Sequence, residues 1–559
     1  MAGRTCSFSL RPVHPDEVEE VVTALSNSSS FGLDLIDTYI IKLVKLEILP
    51  ALTHIINLSL AKNEFPTAWK KSKIIPLHKK GDTLNPKNYR PVAIIPVFSK
   101  ILERVVFNQM VEYLTRNQLI HPNHHAYRSH HNTTTALIQL YDGWVESVQA
   151  GKIAGVCFLD MSAAFDIVDH NLLLKKLELY GFDQDMLRWI SSYLTGRYQA
   201  VSIDGCLSKL SWVEHGVPQG SILGPLLYTL FTNELPETIH GHSLERPVEA
   251  EGVGTGWPTF NLGCKDSGTV TCYADDTTYS YADEDPDCLS QNLSDKYKVM
   301  SDFLVSNQLK LNDEKTKLMV MTTSQKRPRL NQLNPVVINT PTEVIVKSET
   351  EKLLGAWLHQ DMKWAEHVVG NEDCLVRSLN RRIGALKKVC KVAGFKNRKM
   401  IADGIFMSKL VYLIPLWGAC ATSLLKSLQT LQNKAARAVT KLDWNSPTTL
   451  ILQQCGWLSV NQLSVYHTVI LTHKVMQART PKYLYSKFNT NYQYKTRQAT
   501  SGQIRCTRTP ELDIARDSFC WRATELYNRL PVEIRNMKTL MQFRKNVKSW
   551  VKQNIEITL

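Results

Sequence analysis

Two apolar runs in this chain break off on aspartate, and that punctuation restricts the folds open to it more than any other feature. Residues 155–160 read GVCFLD and residues 269–281 read TVTCYADDTTYSY. A short apolar run of this kind reads as a buried strand, and the second reads as two strands around an acidic turn. Asp160, Asp275 and Asp276 then stand at strand ends with no obvious salt partner. Adjacent aspartates repel one another, and drawing a third carboxylate to them is costly unless cations compensate. Taken singly, the Asp275-Asp276 pair reads as a solvated turn and Asp160 as a helix N-cap or turn former.

Helical and strand patterns alternate up to about residue 360. Residues 1–60 read as helices around a loop at Ser26–Ser30. Ile74–Leu77 and Val92–Ile95 read as strands flanking a basic, turn-rich loop, and Lys100–Leu119 as a helix. Asn171–Tyr180 and Gln184–Thr195 are amphipathic, and Ser221–Glu234 fits a core helix entered after a Pro-Gln-Gly turn. Residues 237–268, rich in Gly, Glu and His, read as an exposed loop. A helix at Pro286–Ser306 and strands at Lys317–Thr322 and Thr342–Val346 complete the pattern. From Cys374 onward helices dominate, interrupted near Pro415, Pro447 and Pro481. The predicted fold class is α/β, followed by a helical region.

A chain of 559 residues exceeds what one hydrophobic core usually serves, so several domains are expected. Its 43% hydrophobic and 21% charged content excludes a disordered, collagen-like or disulfide-scaffold chain. No uncharged apolar stretch reaches the ~20 residues of a membrane helix. The N-terminus lacks an apolar signal core. We therefore expect a nuclear or cytoplasmic protein without a membrane partner, its 12 scattered cysteines reduced. Charge is segregated along the chain. Residues 371–559 hold 31 Lys and Arg against 10 Asp and Glu, a net +21, whereas residues 1–370 carry −7. Such a division suggests one part doing chemistry and another holding a polyanion.

The surroundings of Asp160 suit a nucleotide. Small residues at Ser162, Ala163 and Ala164 leave backbone open to a triphosphate, and Phe165 can fill the space of a ribose 2′-hydroxyl, or equally a core position. Downstream, GVPQGSILGP offers a Gly-rich turn ahead of a helix. Three carboxylates holding two Mg²⁺ ions ~3.5–4 Å apart are what in-line phosphoryl transfer needs.

An ordered series of blocks surrounds these residues. It comprises GLDLIDTYIIKL (32–43), WKKSKIIPLHKKGDTLNPKNYRPVAIIPVFSKILE (69–103), HHAYRSHHNTTTAL (124–137) and FLDMSAAFDIVDH (158–170). GVPQGSILGPLLYTLFTNELP (216–236), YADDTT (273–278), LKLNDEKTKLMVM (309–321) and EKLLGAWL (351–358) follow. In order and spacing the series resembles the reverse transcriptase of non-LTR (LINE-type) retrotransposons, the jockey and chicken-repeat branch in particular.

That resemblance implies a right-hand polymerase with fingers, palm and helical thumb. It divides the chain into an N-terminal helical extension (1–57), a reverse transcriptase domain (58–358), a thumb-like helical region (371–445) and a basic C-terminal region (446–559). The implied activity is RNA-directed DNA synthesis from dNTPs, on an RNA template with a DNA primer or target. By carry-over, Asp160, Asp275 and Asp276 bind two Mg²⁺ ions, for which Mn²⁺ can substitute, with the Met161 backbone beside them. Phe165 matches the aromatic gate favouring dNTPs, and Gln219 the glutamine that approaches the incoming nucleotide. Lys79 or Lys80 and Arg90 fall where the fingers place cations on the triphosphate. Arg377, Arg381, Arg382, Lys387 and Lys388, on a helix after the palm, are the candidates to track a phosphate backbone. Trp521, Trp550 and the basic ending QFRKNVKSWVKQN could stack on or bind RNA, although core packing of these aromatics is the preferred reading, and His121, His124, His125, His130 and His131 read as part of a fingers segment. Where the family often has Gln and Gly-Phe-Arg, this chain has His124 and Ala126-Tyr127-Arg128.

Elements of this branch commonly carry an endonuclease ahead of the polymerase, and too few residues precede 32 to hold one. The expectation is a polymerase without its own target-nicking activity. Two competing readings are a non-catalytic nucleic-acid-binding relic and an RNA-directed RNA polymerase on the same palm. Phe165 and the YADD turn argue against the latter.

Overall fold

The computed structural model describes every residue except 1–6, 28–29, 80, 162–163, 240–267, 329, 331–334, 341–343, 346, 490–501, 508 and 557–559. The chain forms two compact units, one built from residues 1–127, 159–277 and 295–315, the other from 128–158, 278–294 and 316–559.

The first unit begins with helices whose ends are written locally. Helix α1 (Pro15–Ala24) starts at a capping box of His14 and Glu17 with proline in its first turn. Asp37 caps α2 (Thr38–Leu43), and α1 packs on α3 (Lys45–Lys62) and α4 (Val97–Arg116). Strands β1 (Lys71–His78) and β2 (Tyr89–Ile94) pair antiparallel, Leu77 facing Arg90. On its other side β1 runs parallel to β4 (Arg197–Ile203), which also pairs with β5 (Cys206–Leu207) and β6 (Ser211–Val213). Those three strands are absent from the sequence reading. Asp169 and Asp183 cap α6 (His170–Leu179) and α7 (Gln184–Leu194). The apolar 221–234 run shortens to α8 (Gly224–Phe231), with Leu226, Leu227, Tyr228, Leu230 and Phe231 all buried. The expected exposed loop starts later than predicted, because α9 (Leu235–Ile239) buries Glu237 against His121 at 3.5 Å. The remainder of that loop, 240–267, lies outside the described residues.

In the second unit, α5 (Thr133–Gln149) precedes β3 (Ile153–Leu159), which pairs antiparallel with β9 (Lys317–Met321) and neighbours β8 (Asp276–Asp283) on its other side. Helix α10 (Pro286–Ser306) begins over β3 where Gly155 leaves room. A Cβ there would meet Leu293 Cδ1 at 2.6 Å. Of the strand predicted at 342–346, Val344 makes only an isolated bridge to Asn339, and 342, 343 and 346 are not described. A hairpin of β10 (Thr350–Leu353) and β11 (Ala356–His359) leads into helices. The main ones are α11 (Leu375–Cys390), α12 (Phe395–Ala402), α13 (Thr422–Thr440), α14 (Thr448–Cys455), α15 (Val460–Ala478), α16 (Phe519–Asn528) and α17 (Leu540–Asn554). Pro415, Pro447 and Pro481 each stand at the start of a helix, where a missing N–H costs nothing. One continuous apolar core runs from Leu137 and Trp144 through Trp417 to Phe519, Phe543 and Val551.

Candidate active site

The three sequence-predicted acids belong to the first unit. Asp160 follows the last residue of β3. Its carbonyl accepts the Asn312 N–H at 2.9 Å, and Met161 bridges Leu311, so the chain beyond the strand is pinned. Its carboxylate pairs with Lys315 Nζ at 3.4 Å. Asp275 and Asp276 close the turn from β7 (Thr269–Tyr273) into β8. Ala274 holds that turn at φ +57°, a left-handed conformation that costs a residue with a Cβ about 1 kcal/mol or more. The helix-cap reading fails for Asp160, whose carboxylate pairs with Lys315. Asp37, Asp169 and Asp183 do the capping, while the side chains of Asp275 and Asp276 make no hydrogen bond or ion pair among the described residues.

Electrostatics ties the three together. Desolvation lifts the Asp276 carboxyl to about 6, the charges of Asp275 and Asp160 push it the same way, and Arg90 opposes them. This holds although the side chain has an open face on solvent. Among the described residues no three His, Cys, Asp or Glu side chains are drawn into a metal-ligating group. Asp160 is held by Lys315 instead.

The nucleotide-pocket candidates converge on one loop. Gly216 N–H donates to the Val168 carbonyl at 2.9 Å and Val217 N–H to that of Phe165 at 2.7 Å, laying residues 216–217 along 165–168. Glycine is needed at 216, where φ is +82° and a Cβ would lie 2.6 Å from the Asp166 carbonyl oxygen. At Gly220, φ is +121° and a Cβ would come within 2.3 Å of the Ala93 oxygen. Its neighbour Gln219 accepts the Ala93 N–H on its carbonyl at 2.7 Å, joining the loop to β2. The Gln219 amide nitrogen donates to both Asp166 carboxylate oxygens at 3.0 Å. Desolvation raises the Asp166 carboxyl, and the Gln219 bonds and the charge of Lys79 oppose that rise. Phe165 is half-buried, its ring 4.6 Å from that of Tyr228, whose hydroxyl donates to Met161 Sδ at 3.1 Å. Lys79 N–H closes the β1–β2 hairpin on the Asn88 carbonyl, and Lys80 lies outside the described residues.

Two supporting residues escaped the sequence reading. One is Asp166, the partner of Gln219. The other is Glu103, fully buried on α4, whose carboxylate accepts the N–H groups of Ile222 and Leu223 at 2.8 and 3.2 Å and the Ser99 hydroxyl at 2.9 Å. Burial raises its pKa, opposed by the charge of Arg197 and by those hydrogen bonds. A glutamate on a helix otherwise facing the core was the available signal, since buried carboxylates persist only with partners.

The histidines of the fingers-like block take structural partners. His124 Nε2 lies 3.3 Å from the Thr232 carbonyl, and His125 N–H donates to Cys272, aligning this segment parallel to β7. Tyr127, at φ +58°, lies close enough to Tyr273 and Asp275 for their charges to add to the desolvation that raises its hydroxyl pKa.

In the second unit, the five predicted basic residues share α11 but not one environment. Arg381 pairs with Asp373 at 3.0 Å, and Arg382 donates to the Ile405 carbonyl at 2.7 Å. Arg377, Lys387 and Lys388 are exposed and have no ion-pair partner among the described residues.

Comparison with known proteins matches residues 77–358, half of the chain, to the family model described as reverse transcriptase (RNA-dependent DNA polymerase). The chain is 27% identical over 441 residues to the RNA-directed DNA polymerase from mobile element jockey of Drosophila funebris, covering 78% of this chain and 44% of that protein. It is 25% identical over 439 residues to the probable RNA-directed DNA polymerase from transposon X-element of Drosophila melanogaster, covering 78% of this chain and 45% of the relative. A similar match, 24% over 465 residues, is to the probable RNA-directed DNA polymerase from transposon BS of the same fly, covering 83% and 48%. The chain thus spans a little under half the length of these relatives. Its matched half encloses the acids of both strand ends and the loop that Glu103 and Ala93 hold, and the chain belongs to the reverse transcriptase family, alongside the polymerases of non-LTR retrotransposons.

Proposed function

We propose that this chain is an RNA-directed DNA polymerase, adding dNTPs to a primer 3′-OH on an RNA template. Its frame is a right hand with fingers and palm over 58–358, a thumb-like region at 371–445 and a basic region at 446–559. The observation that carries this reading is Asp276, whose carboxyl is raised first by desolvation and further by the charges of Asp275 and Asp160, with Arg90 opposing. Such a cluster of like charges is relieved by cations. Its all-oxygen donors suit hard divalent ions, so Asp160, Asp275 and Asp276 would hold Mg²⁺ or Mn²⁺. When bound, the ions activate the primer oxygen and stabilise the pyrophosphate leaving group.

The chain's own residues supply the rest. Asp160 exchanges Lys315 for the metal site. Arg90 and Lys79 bring positive charge toward the triphosphate, where charge builds in the transition state. Phe165, backed by Tyr228, excludes a ribose 2′-hydroxyl. Gln219 exchanges Asp166 for the incoming nucleotide on a loop that Glu103 keeps in place. Arg377, Lys387 and Lys388 contact template or primer phosphates.

The test is DNA synthesis on a homopolymer RNA template with Mg²⁺ or Mn²⁺, comparing wild type with Asp275→Asn/Asp276→Asn. Synthesis by the wild type, lost in the folded double variant, supports the proposal. Inactivity of a folded wild type that still binds RNA would overturn it in favour of a non-catalytic binder.

A further inference from the structure

The second unit contains a basic pocket of which the polymerase reading uses only Lys387. It lies between the C-terminal ends of α11 and α13, which pack against each other, and has a volume of about 610 Å³. Lys387 and Lys391 line it from α11 and its end, Lys434, Arg437 and Lys441 from α13 and its end, and Trp444 from the turn beyond. Lys434 and Arg437, spaced i, i+3, share one face of α13, and Lys441 caps its C-terminus at φ +62°. None of the five cations has an ion-pair partner among the described residues, and the one acid in the adjoining turn, Asp443, pairs with none of them.

Helix dipoles account for part of this charge, since cations are favoured at C-termini by about 0.3–1 kcal/mol each. They do not account for Trp444, which is 85% exposed although tryptophan is among the most buried residues on average. Nor do they account for Arg437, which reaches under the turn. Its Nη2 donates to the Ser446 carbonyl at 3.0 Å, while its buried Nε has no partner. The guanidinium thereby fixes the turn that presents the indole. An unpaired cationic wall beside an aromatic face is the arrangement that takes backbone phosphates on one side and an unstacked base on the other.

We infer that this pocket binds single-stranded nucleic acid, with a base stacked on Trp444 and its flanking phosphates on the lysines. Duplex offers no free base face and should compete poorly. The inference stands on the second unit alone and does not depend on catalysis by the first.

The experiment measures binding of labelled oligo(U), oligo(dT) and a blunt-ended RNA duplex to the full chain, with lysine acetylation footprinting as a local readout. Both single strands should protect Lys387, Lys391, Lys434 and Lys441, and the duplex should not. Trp444→Ala should weaken single-strand binding about 5- to 100-fold, and Trp444→Phe should retain most of it. Lys434→Gln/Lys441→Gln should lower the slope of log K against log salt by roughly 1.4. Protection by only one of the two single strands would keep the site and name its sugar. Equal protection by duplex and single strand, or unprotected lysines with Trp444→Ala binding like wild type, would overturn the proposal. Footprints read the pocket even if no DNA synthesis is detected.

Discussion

Asp276 makes the clearest claim at the scale of single residues. Its folded pKa, about 6, lies above the ordinary 3.8, so its ionisation weakens the metal-free fold. That penalty is absent below about pH 4, grows between 4 and 6, and is constant above. Asp276→Asn should therefore melt higher than wild type without divalent ions at pH 7.5, and the gap should close by pH 4; a thermal scan across pH checks this. The same variant should lose about 10³-fold or more of its polymerase activity, a loss readable in primer extension. Glu103 belongs to this scale as well. Glu103→Ala leaves the N–H groups of Ile222 and Leu223 without their acceptor and should cost about 2–4 kcal/mol in a urea titration. The acids at the strand ends were legible because apolar runs stopped on them. Glu103 and Asp166 were not, because a lone carboxylate on a helix or turn looks like solvated surface until tertiary contacts bury it or give it a partner.

The Gly216–Gly220 loop shows the same contrast among whole elements. A Pro-Gly turn before an apolar helix was readable from residue types alone, but its attachment to β2 and to 165–168 was not. Gly220→Ala adds a Cβ into the Ala93 carbonyl at a φ that alanine disfavours. We expect it to raise the KM for dNTP at least severalfold and to cost about 1–3 kcal/mol of stability, measured by steady-state kinetics and denaturation. Strands β4, β5 and β6 went unread because their residues are mostly exposed and alternate weakly, and β4 is defined by register with a strand more than a hundred residues earlier. Pro415, Pro447 and Pro481, by contrast, marked the breaks between helices where they were expected, since their backbone chemistry is local.

In the molecule as a whole, the second unit behaves as one cooperative block, because residues from Leu137 to Val551 line a single core. Deleting 446–559 would remove Val469, Phe519 and Phe543 from the core that also holds Leu386 and Leu428. The truncated chain should lose protease resistance throughout 316–445 rather than yield a trimmed, folded fragment, which limited proteolysis can show. The order in which the chain is laid down carries a further consequence. It passes between the two units five times, and the first unit is complete only when residue 315 has been made. Neither unit can therefore finish folding on the ribosome before residue 315 has emerged. At ~5–20 residues per second the early helices wait tens of seconds for their partners. A nascent chain with exposed apolar faces and unpaired strand edges over that interval is a natural client for chaperones. Slowing translation should lengthen the wait without helping the first unit to close.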